Sequence, residues 1–148
     1  MLDTQPAATG MPQDDNLDTW NARMSGTIGQ SVPMRIEHVS KDRVVVTHEM
    51  TPRSHQPTGI LHGGISLVLA ESAASIAANR NAPPGMIAVG QEINANHLRP
   101  KRDGTLTATA TPAHVGRTSQ VWTVEIRDEA GKLICISGCT LAHVPNPG

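Results

Sequence analysis

Residues 60–79 read ILHGGISLVLAESAASIAAN, and this stretch decides how the rest of the chain must be arranged. Leu and Ala are good helix formers, two glycines precede the apolar run, and Asn79 with the later Pro83 and Pro84 ends it. We therefore predict a helix over 65–79. Its residues are apolar or small nearly all round, which is typical of a buried helix, so other elements must cover it.

Alternating apolar and polar residues on both sides of this helix predict a sheet. The predicted strands are 34–39, 43–50, 86–99, 105–115, 119–127 and 132–144. Pro112 places the fourth strand at an edge or at a bulge. A short amphipathic helix capped by Asp14 or Asp15 precedes the first strand. This order predicts an α+β domain, in which the last four strands form an antiparallel meander and the sheet curls around one buried helix.

The length of 148 residues suits one domain whose core needs neither disulfide nor metal. Residues 1–13 are small, polar and interrupted by Pro and Gly, so we predict a disordered tail there and a single domain over 14–148. Four aspartates precede the first basic residue, Arg23, which argues against a secretory leader and for a cytoplasmic protein. Cys135 and Cys139 are too far apart on one strand for a disulfide and are interpreted as reduced apolar residues.

Composition excludes several classes of protein. The 12 Lys and Arg against 13 Asp and Glu exclude a nucleic-acid binder that relies on a wide basic surface. The chain has no Phe or Tyr, so stacking on single-stranded bases is nearly excluded as well. No apolar run is long enough for a membrane span, and no metal-binding motif occurs. A small basic patch for a small anionic ligand stays possible.

Glu71 is the one formally charged side chain between Ser54 and Asn79, and it lies in the helix predicted to be buried. A carboxylate there loses solvation unless it is paired or hydrogen-bonded. Composition alone leaves two alternatives equally open, a functional carboxylate and one on an exposed stripe of the helix. Ser75 follows one turn later on the same face.

His62, Gly63 and Gly64 stand where this helix begins. A helix start presents unpaired N–H groups and a positive dipole, and glycines allow a ligand to approach the backbone closely. The motif suits an oxyanion or phosphate site, although a flexible junction explains it equally. Ser66 lies in GISLV, which lacks the second glycine of a nucleophile elbow.

A basic cluster ends the third predicted strand. His97, Arg99 and Lys101 share one face of an extended chain, and three donors there suit a phosphorylated ligand. For Lys101 and Arg102 a solvated strand end is the favoured interpretation. Arg117 could join the cluster from a neighbouring turn.

Four segments together resemble the hotdog-fold acyl-CoA thioesterases. They are ILHGGISLVLAES, AVGQEINANHLRP, HVGRTSQVW and DEAGKLICIS. Within that family they are most similar to the branch of 4-hydroxybenzoyl-CoA thioesterase of the helix-glutamate type and dihydroxynaphthoyl-CoA hydrolase. The resemblance implies a hotdog fold, hydrolysis of an aryl or a short- to medium-chain acyl-CoA, and no cofactor. It also implies a homo-oligomer, either a dimer or a homotetramer built as a dimer of dimers.

Site residues follow from the resemblance position by position. Glu71 corresponds to the catalytic carboxylate, acting as nucleophile or as general base, and Gly63 to the amide that polarises the thioester carbonyl. His62 and Gln56 correspond to residues that orient the thioester, and Ser75 to a hydroxyl that positions water.

The contacts to coenzyme A are implied at His97, Arg99, Gly64 and Arg117. A hotdog dehydratase and a non-catalytic acyl-CoA-binding protein are the alternative functions. The dehydratase needs a His/acid pair at a different spacing, which this sequence does not supply, and intact Glu71 and HGG argue against the non-catalytic protein.

The spacing of Gly63 and Glu71 adds an argument of its own. Eight residues of helix separate them by roughly 12 Å, yet both must act on one thioester carbon within about 3 Å. Two antiparallel central helices related by a two-fold axis would bring one chain's Gly63 beside the other's Glu71. We therefore predict an active site shared between two chains.

Overall fold

The structure, a computed structural model, describes residues 10–148. Residues 1–9 of the predicted tail lie outside the described residues, whereas Met11 packs against the core and the Gln13 amide donates a hydrogen bond to the Asn79 carbonyl. In chain order the elements are α1 (Leu17–Ala22), α2 (Ile28–Ser31), β1 (Arg35–Val39), β2 (Val44–Glu49), a 3-10 turn (Pro52–Ser54), α3 (Gly63–Arg80), β3 (Met86–His97), β4 (Thr105–Val115), β5 (Ser119–Asp128) and β6 (Leu133–Pro145).

The six strands form one antiparallel sheet in the order β1-β2-β4-β5-β6-β3, and α3 packs against five of them. This confirms the predicted α+β class with a sheet around one central helix. The last four strands are not a simple meander, because β3 pairs with β6 and not with its neighbour β4. Strand β3 is therefore an edge of the sheet.

Two local predictions are decided by hydrogen bonds. The register of β4 and β5 shifts between Pro112 and His114, so Pro112 lies at a bulge. The cap of α1 is Asn16, whose side-chain oxygen accepts from the N–H groups of Asp18 and Thr19, so the prediction of Asp14 or Asp15 was wrong. The short helix α2 was not predicted, since four residues carry almost no periodic signal.

Helix α3 is longer than predicted and less buried. Its side towards the sheet is made of Leu69, Ala73, Ala77 and other fully buried residues, whose small size allows close packing. The opposite side holds the exposed Glu71 and half-buried serines, so the prediction of a helix buried all round was wrong for a single chain. One sheet covers one side of a helix. A second layer would be needed to bury the side of α3 that carries Glu71.

No helix within residues 10–148 is long and apolar enough to cross a membrane.

Candidate active site

The first residues of α3 are held by a histidine cap. His62 has an extended backbone, and its ring Nδ1 accepts the Gly64 N–H at 2.9 Å. The His62 N–H in turn donates to the Ser54 carbonyl at 2.8 Å, which ties the preceding loop to the helix. The Gly63 N–H occupies the first helical position and has no acceptor inside the helix. It is the donor that remains for a ligand.

Gly63 is required by its neighbour His97. A Cβ added at Gly63 would lie 2.7 Å from His97 Nε2, which is closer than two such atoms normally approach. The missing side chain therefore allows the imidazole at the end of β3 to pack directly on the helix start. A ligand atom that reaches the Gly63 amide must pass beside this ring.

A cavity of about 300 Å³ opens in front of this amide, and we call it the basic pocket. It is lined by Gln56, Ile60, Leu61, Gly63, Ser66, His97, Leu98, Arg99, Pro100, Lys101 and Ile134. The structure thus brings together Gln56, Gly63, His97 and Arg99, which come from a loop, a helix start and a strand end.

Lys101 also lines the basic pocket and is not the solvated residue that the sequence suggested. Its side chain is 11% exposed, and Nζ lies 2.7 Å from a carboxylate oxygen of Glu129. The hydrogen bond from Lys101 lowers the pKa of Glu129 below its ordinary value. The ion pair joins residues 28 positions apart, so no local pattern could reveal it. Arg102 is exposed as expected and donates to the Gly59 carbonyl.

Glu71 lies two turns further along α3, over strand β3. A Cβ added at Gly90 would lie 2.6 Å from Glu71 Oε1, so the carboxylate occupies the space that a side chain would fill. Cys139 of β6 lies nearby, because it pairs with Ile93 of β3, three residues after Gly90. Burial, with the carboxylates of Glu71 and Glu92 adding to it, raises the pKa of Cys139 to about 11. The thiol is therefore protonated at neutral pH and is no nucleophile.

A second cavity, of about 400 Å³, adjoins Glu71 and is called the methionine pocket. It is lined by Met11, Met24, Thr27, Ile28, Val68, Glu71, Ser72, Ser75 and Ile76. Sequence reasoning assigned Glu71 and Ser75 but missed the residues that the N-terminal segment contributes. The short amphipathic helix predicted before the first strand was the available signal, but nothing local indicates that this part of the chain meets α3.

The basic pocket and the methionine pocket share no lining residue within the described chain. Gly63 belongs to the first and Glu71 to the second. Arg117 is also remote from the basic pocket, since its carbonyl accepts from His143 of β6 whereas His97 pairs with Cys135. Eight residues of β6 separate these positions, roughly 26 Å. One chain does not bring Arg117, Gly63 and Glu71 to one place.

No group of three or more His, Cys, Asp and Glu side chains within residues 10–148 is placed to hold a metal ion. The residues at both pockets instead offer amide and cationic donors, a carboxylate and apolar surface. Such a set can hold an anionic ligand, polarise a carbonyl and attack it.

Comparison with known proteins agrees with this chemistry. The pattern that defines the thioesterase superfamily matches residues 58–135. A 1,4-dihydroxy-2-naphthoyl-CoA hydrolase from Listeria monocytogenes is 50% identical over 113 residues, which are 76% of this chain and 92% of that protein. The enzyme of the same name from Escherichia coli is 41% identical over 126 residues, 85% of this chain and 93% of that protein. The crystal structure of a thioesterase from Haemophilus influenzae superimposes with a TM-score of 0.86 at 38% identity, covering 91% of this chain and 94% of that one.

Proposed function

The chain belongs to the thioesterase superfamily, and we propose that its substrate is an aryl-CoA thioester. It is an acyl-CoA thioesterase with the hotdog fold, which hydrolyses a thioester to a carboxylic acid and a free thiol. The methionine pocket beside Glu71 has an apolar lining and a volume of about 400 Å³, which has room for the ring of an aryl group. The substrate named for the relatives from Listeria monocytogenes and Escherichia coli supports the same choice.

Glu71 and Gly63 have different roles in the hydrolysis of the thioester. The Gly63 N–H binds the carbonyl oxygen and stabilises its developing charge, aided by the positive end of the α3 dipole. Glu71 either attacks the carbonyl carbon, which releases CoA and leaves a mixed anhydride for water to cleave, or removes a proton from the attacking water. The exposed carboxylate at the mouth of an apolar pocket supports both routes. Ser75, one turn later, positions the water.

The loop before α3 orients the thioester. Gln56 lines the basic pocket and offers its amide to the substrate. His62 holds the backbone of the helix start, because its ring Nδ1 accepts the Gly64 N–H, and its other ring nitrogen, Nε2, is the atom left for the thioester. Gly64 therefore contributes a close approach to the backbone and no free amide.

The phosphates of CoA bind at the basic pocket. His97, Arg99 and Lys101 supply cationic or ring donors on one side of the pocket that holds the Gly63 amide. Arg117, which lies at the opposite end of the sheet, reaches the nucleotide only from a second chain.

A second copy of the chain completes the site. Strand β3 is twelve residues long, and among residues 10–148 it pairs with β6 alone, so that no described strand covers the backbone of its other edge. Such a long unpaired edge is a template for another strand. Antiparallel pairing of two β3 strands places two α3 helices side by side and covers the exposed side with Glu71. We assign the protein as such a dimer, with a dimer of dimers as its larger form.

An acyl-CoA panel tests the substrate class. We expect kcat/KM for 1,4-dihydroxy-2-naphthoyl-CoA and benzoyl-CoA to exceed that for acetyl-CoA and hexanoyl-CoA by about 10-fold or more, since the ring fills the methionine pocket. Release of the CoA thiol measures every substrate alike, with each thioester incubated without protein as the control. A preference for the aliphatic thioesters would overturn the aryl assignment.

Arg99→Ala separates phosphate binding from chemistry. The variant should raise KM and weaken the binding of free CoA, while kcat changes much less, because no bond to the phosphates forms or breaks in the reaction. Arg43→Ala is the matched control, since this arginine is exposed in the turn before β2, beyond the basic pocket. CoA affinity measured by calorimetry should fall only in Arg99→Ala. Equal affinities would exclude Arg99 from phosphate binding.

A further inference from the structure

Ser66 carries the one buried side-chain oxygen or nitrogen within residues 10–148 that has no hydrogen-bond partner. The residue is 0% exposed and lies three positions after Gly63, inside α3. A serine inside a helix usually donates to the carbonyl four residues earlier, here that of His62, or points to water. Ser66 does neither. Because a buried hydroxyl without a partner is costly, its presence points to a partner that arrives with the substrate.

Ser66 forms part of the wall of the basic pocket. Residues three apart lie on the same side of a helix, and Ser66 and Gly63 both line this cavity. The wall of this pocket therefore contains an unpaired hydroxyl one helical turn after the unpaired N–H of Gly63, and the hydroxyl must turn towards the cavity to meet a ligand. Leu61 and Ile134 line the same cavity, and a hydrogen bond in such surroundings is stronger than in water.

We propose that the Ser66 hydroxyl donates a hydrogen bond to the thioester carbonyl oxygen, as a second donor beside the Gly63 N–H. This role rests on the proposed function. The oxygen gains negative charge when the carbonyl carbon becomes tetrahedral, so a second donor stabilises the transition state more than the bound substrate. Ser66 is then a catalytic residue that stabilises charge and neither attacks the carbonyl nor transfers a proton.

Ser66→Ala tests this role through kinetics. We expect kcat to fall by about 10-fold or more, because one donor to the oxyanion is lost. The ratio of wild-type to variant kcat/KM should be equal for the acyl-CoA and for the S-ethyl thioester of the same acid, since both contain the carbonyl. Affinity for free CoA, which lacks that carbonyl, should not change. Ser66→Cys, with a weaker donor of similar size, should lie between wild type and Ser66→Ala.

Thermal unfolding distinguishes this role from a structural one, because loss of a hydroxyl that stabilises the fold would lower Tm. Ser66→Ala should leave Tm unchanged or raise it, because it removes a buried group without a partner. Ser137→Ala is the matched control, since the Ser137 hydroxyl is buried and donates to the Asn94 carbonyl at 2.6 Å. That variant should lower Tm.

Three results would overturn the role of Ser66. They are an unchanged kcat in an active protein, a loss confined to the CoA substrate, and a fall in Tm as large as that of Ser137→Ala. A wild-type protein that hydrolyses neither thioester would instead refute the proposed function, and with it the role of Ser66.

Discussion

Glu71→Gln will lower kcat for acyl-CoA hydrolysis by at least about 100-fold without disturbing the fold. Glutamine keeps the shape of the side chain but can neither attack the carbonyl nor accept a proton from water. Glu71 is exposed, and the ion pairs within residues 10–148 involve other residues, so the substitution removes no salt bridge there. Steady-state thiol release gives kcat, and thermal unfolding shows whether the fold is intact.

Glu49→Gln provides the matched control for the loss of one carboxylate. Glu49 is exposed at the end of β2 and lines neither pocket. This variant should turn over at nearly the wild-type rate. A Glu71→Gln protein with a kcat close to that of Glu49→Gln would remove Glu71 from the mechanism.

Mixing two inactive variants should restore activity if the site is shared between chains. Chains with Glu71→Gln and chains with Gly63→Pro each form inactive homodimers, because both sites lack one half. A mixed dimer collects both changes in one site and leaves the other intact. Random pairing makes half of the dimers mixed, each with one of two sites, so activity should reach about a quarter of the wild-type value. Thiol release after verified subunit exchange measures it.

The structure makes Gly63→Pro a suitable substitution. Proline lacks the N–H and is tolerated at the first position of a helix, which Gly63 occupies. The extended backbone of His62, with φ −71° and ψ 126°, also suits a residue before proline. Any side chain at Gly63 presses on His97, so Gly63→Ala, which keeps the N–H, is the matched control.

The comparison of these two variants separates amide loss from displacement of the histidine. Gly63→Pro should be the less active of the two, and both should dimerise and melt like the wild type. With exchange verified and that control met, mixtures that stay inactive would show that each site is built from one chain. The antiparallel arrangement of the α3 helices would then be wrong.

Much of the site could be predicted from local sequence. The Gly63–Gly64 pair before an apolar helix offered an amide at the helix start, and the isolated Glu71 offered a carboxylate, but the resemblance to the thioesterases assigned both to the candidate site. The period of two after Asn96 predicted that His97, Arg99 and Lys101 share one side, but Leu98 and Pro100 line the basic pocket as well, because β3 ends at His97 and the alternation ends with it. Such predictions hold within one helix or one strand, where spacing alone sets the direction of a side chain.

Tertiary structure decided the rest. The pairing of β3 with β6 makes β3 a free edge, although the order of strands along the chain favours a meander. Only the fold brings Glu129 to Lys101, and Met11 and Met24 to Glu71. The exposure of Glu71 depends on which side of α3 the sheet covers.

The physical reason is the range of the interactions concerned. Helix starts, turns and strand faces are set by backbone geometry and by neighbours a few residues away, so the sequence by itself determined the elements, the fold class and the candidate chemical groups. The ion pair of Lys101 and Glu129 joins residues 28 positions apart, and the methionine pocket joins Met11 to Glu71, 60 positions later. Such contacts form only when helices and strands pack against one another, and a local sequence pattern does not predict that packing.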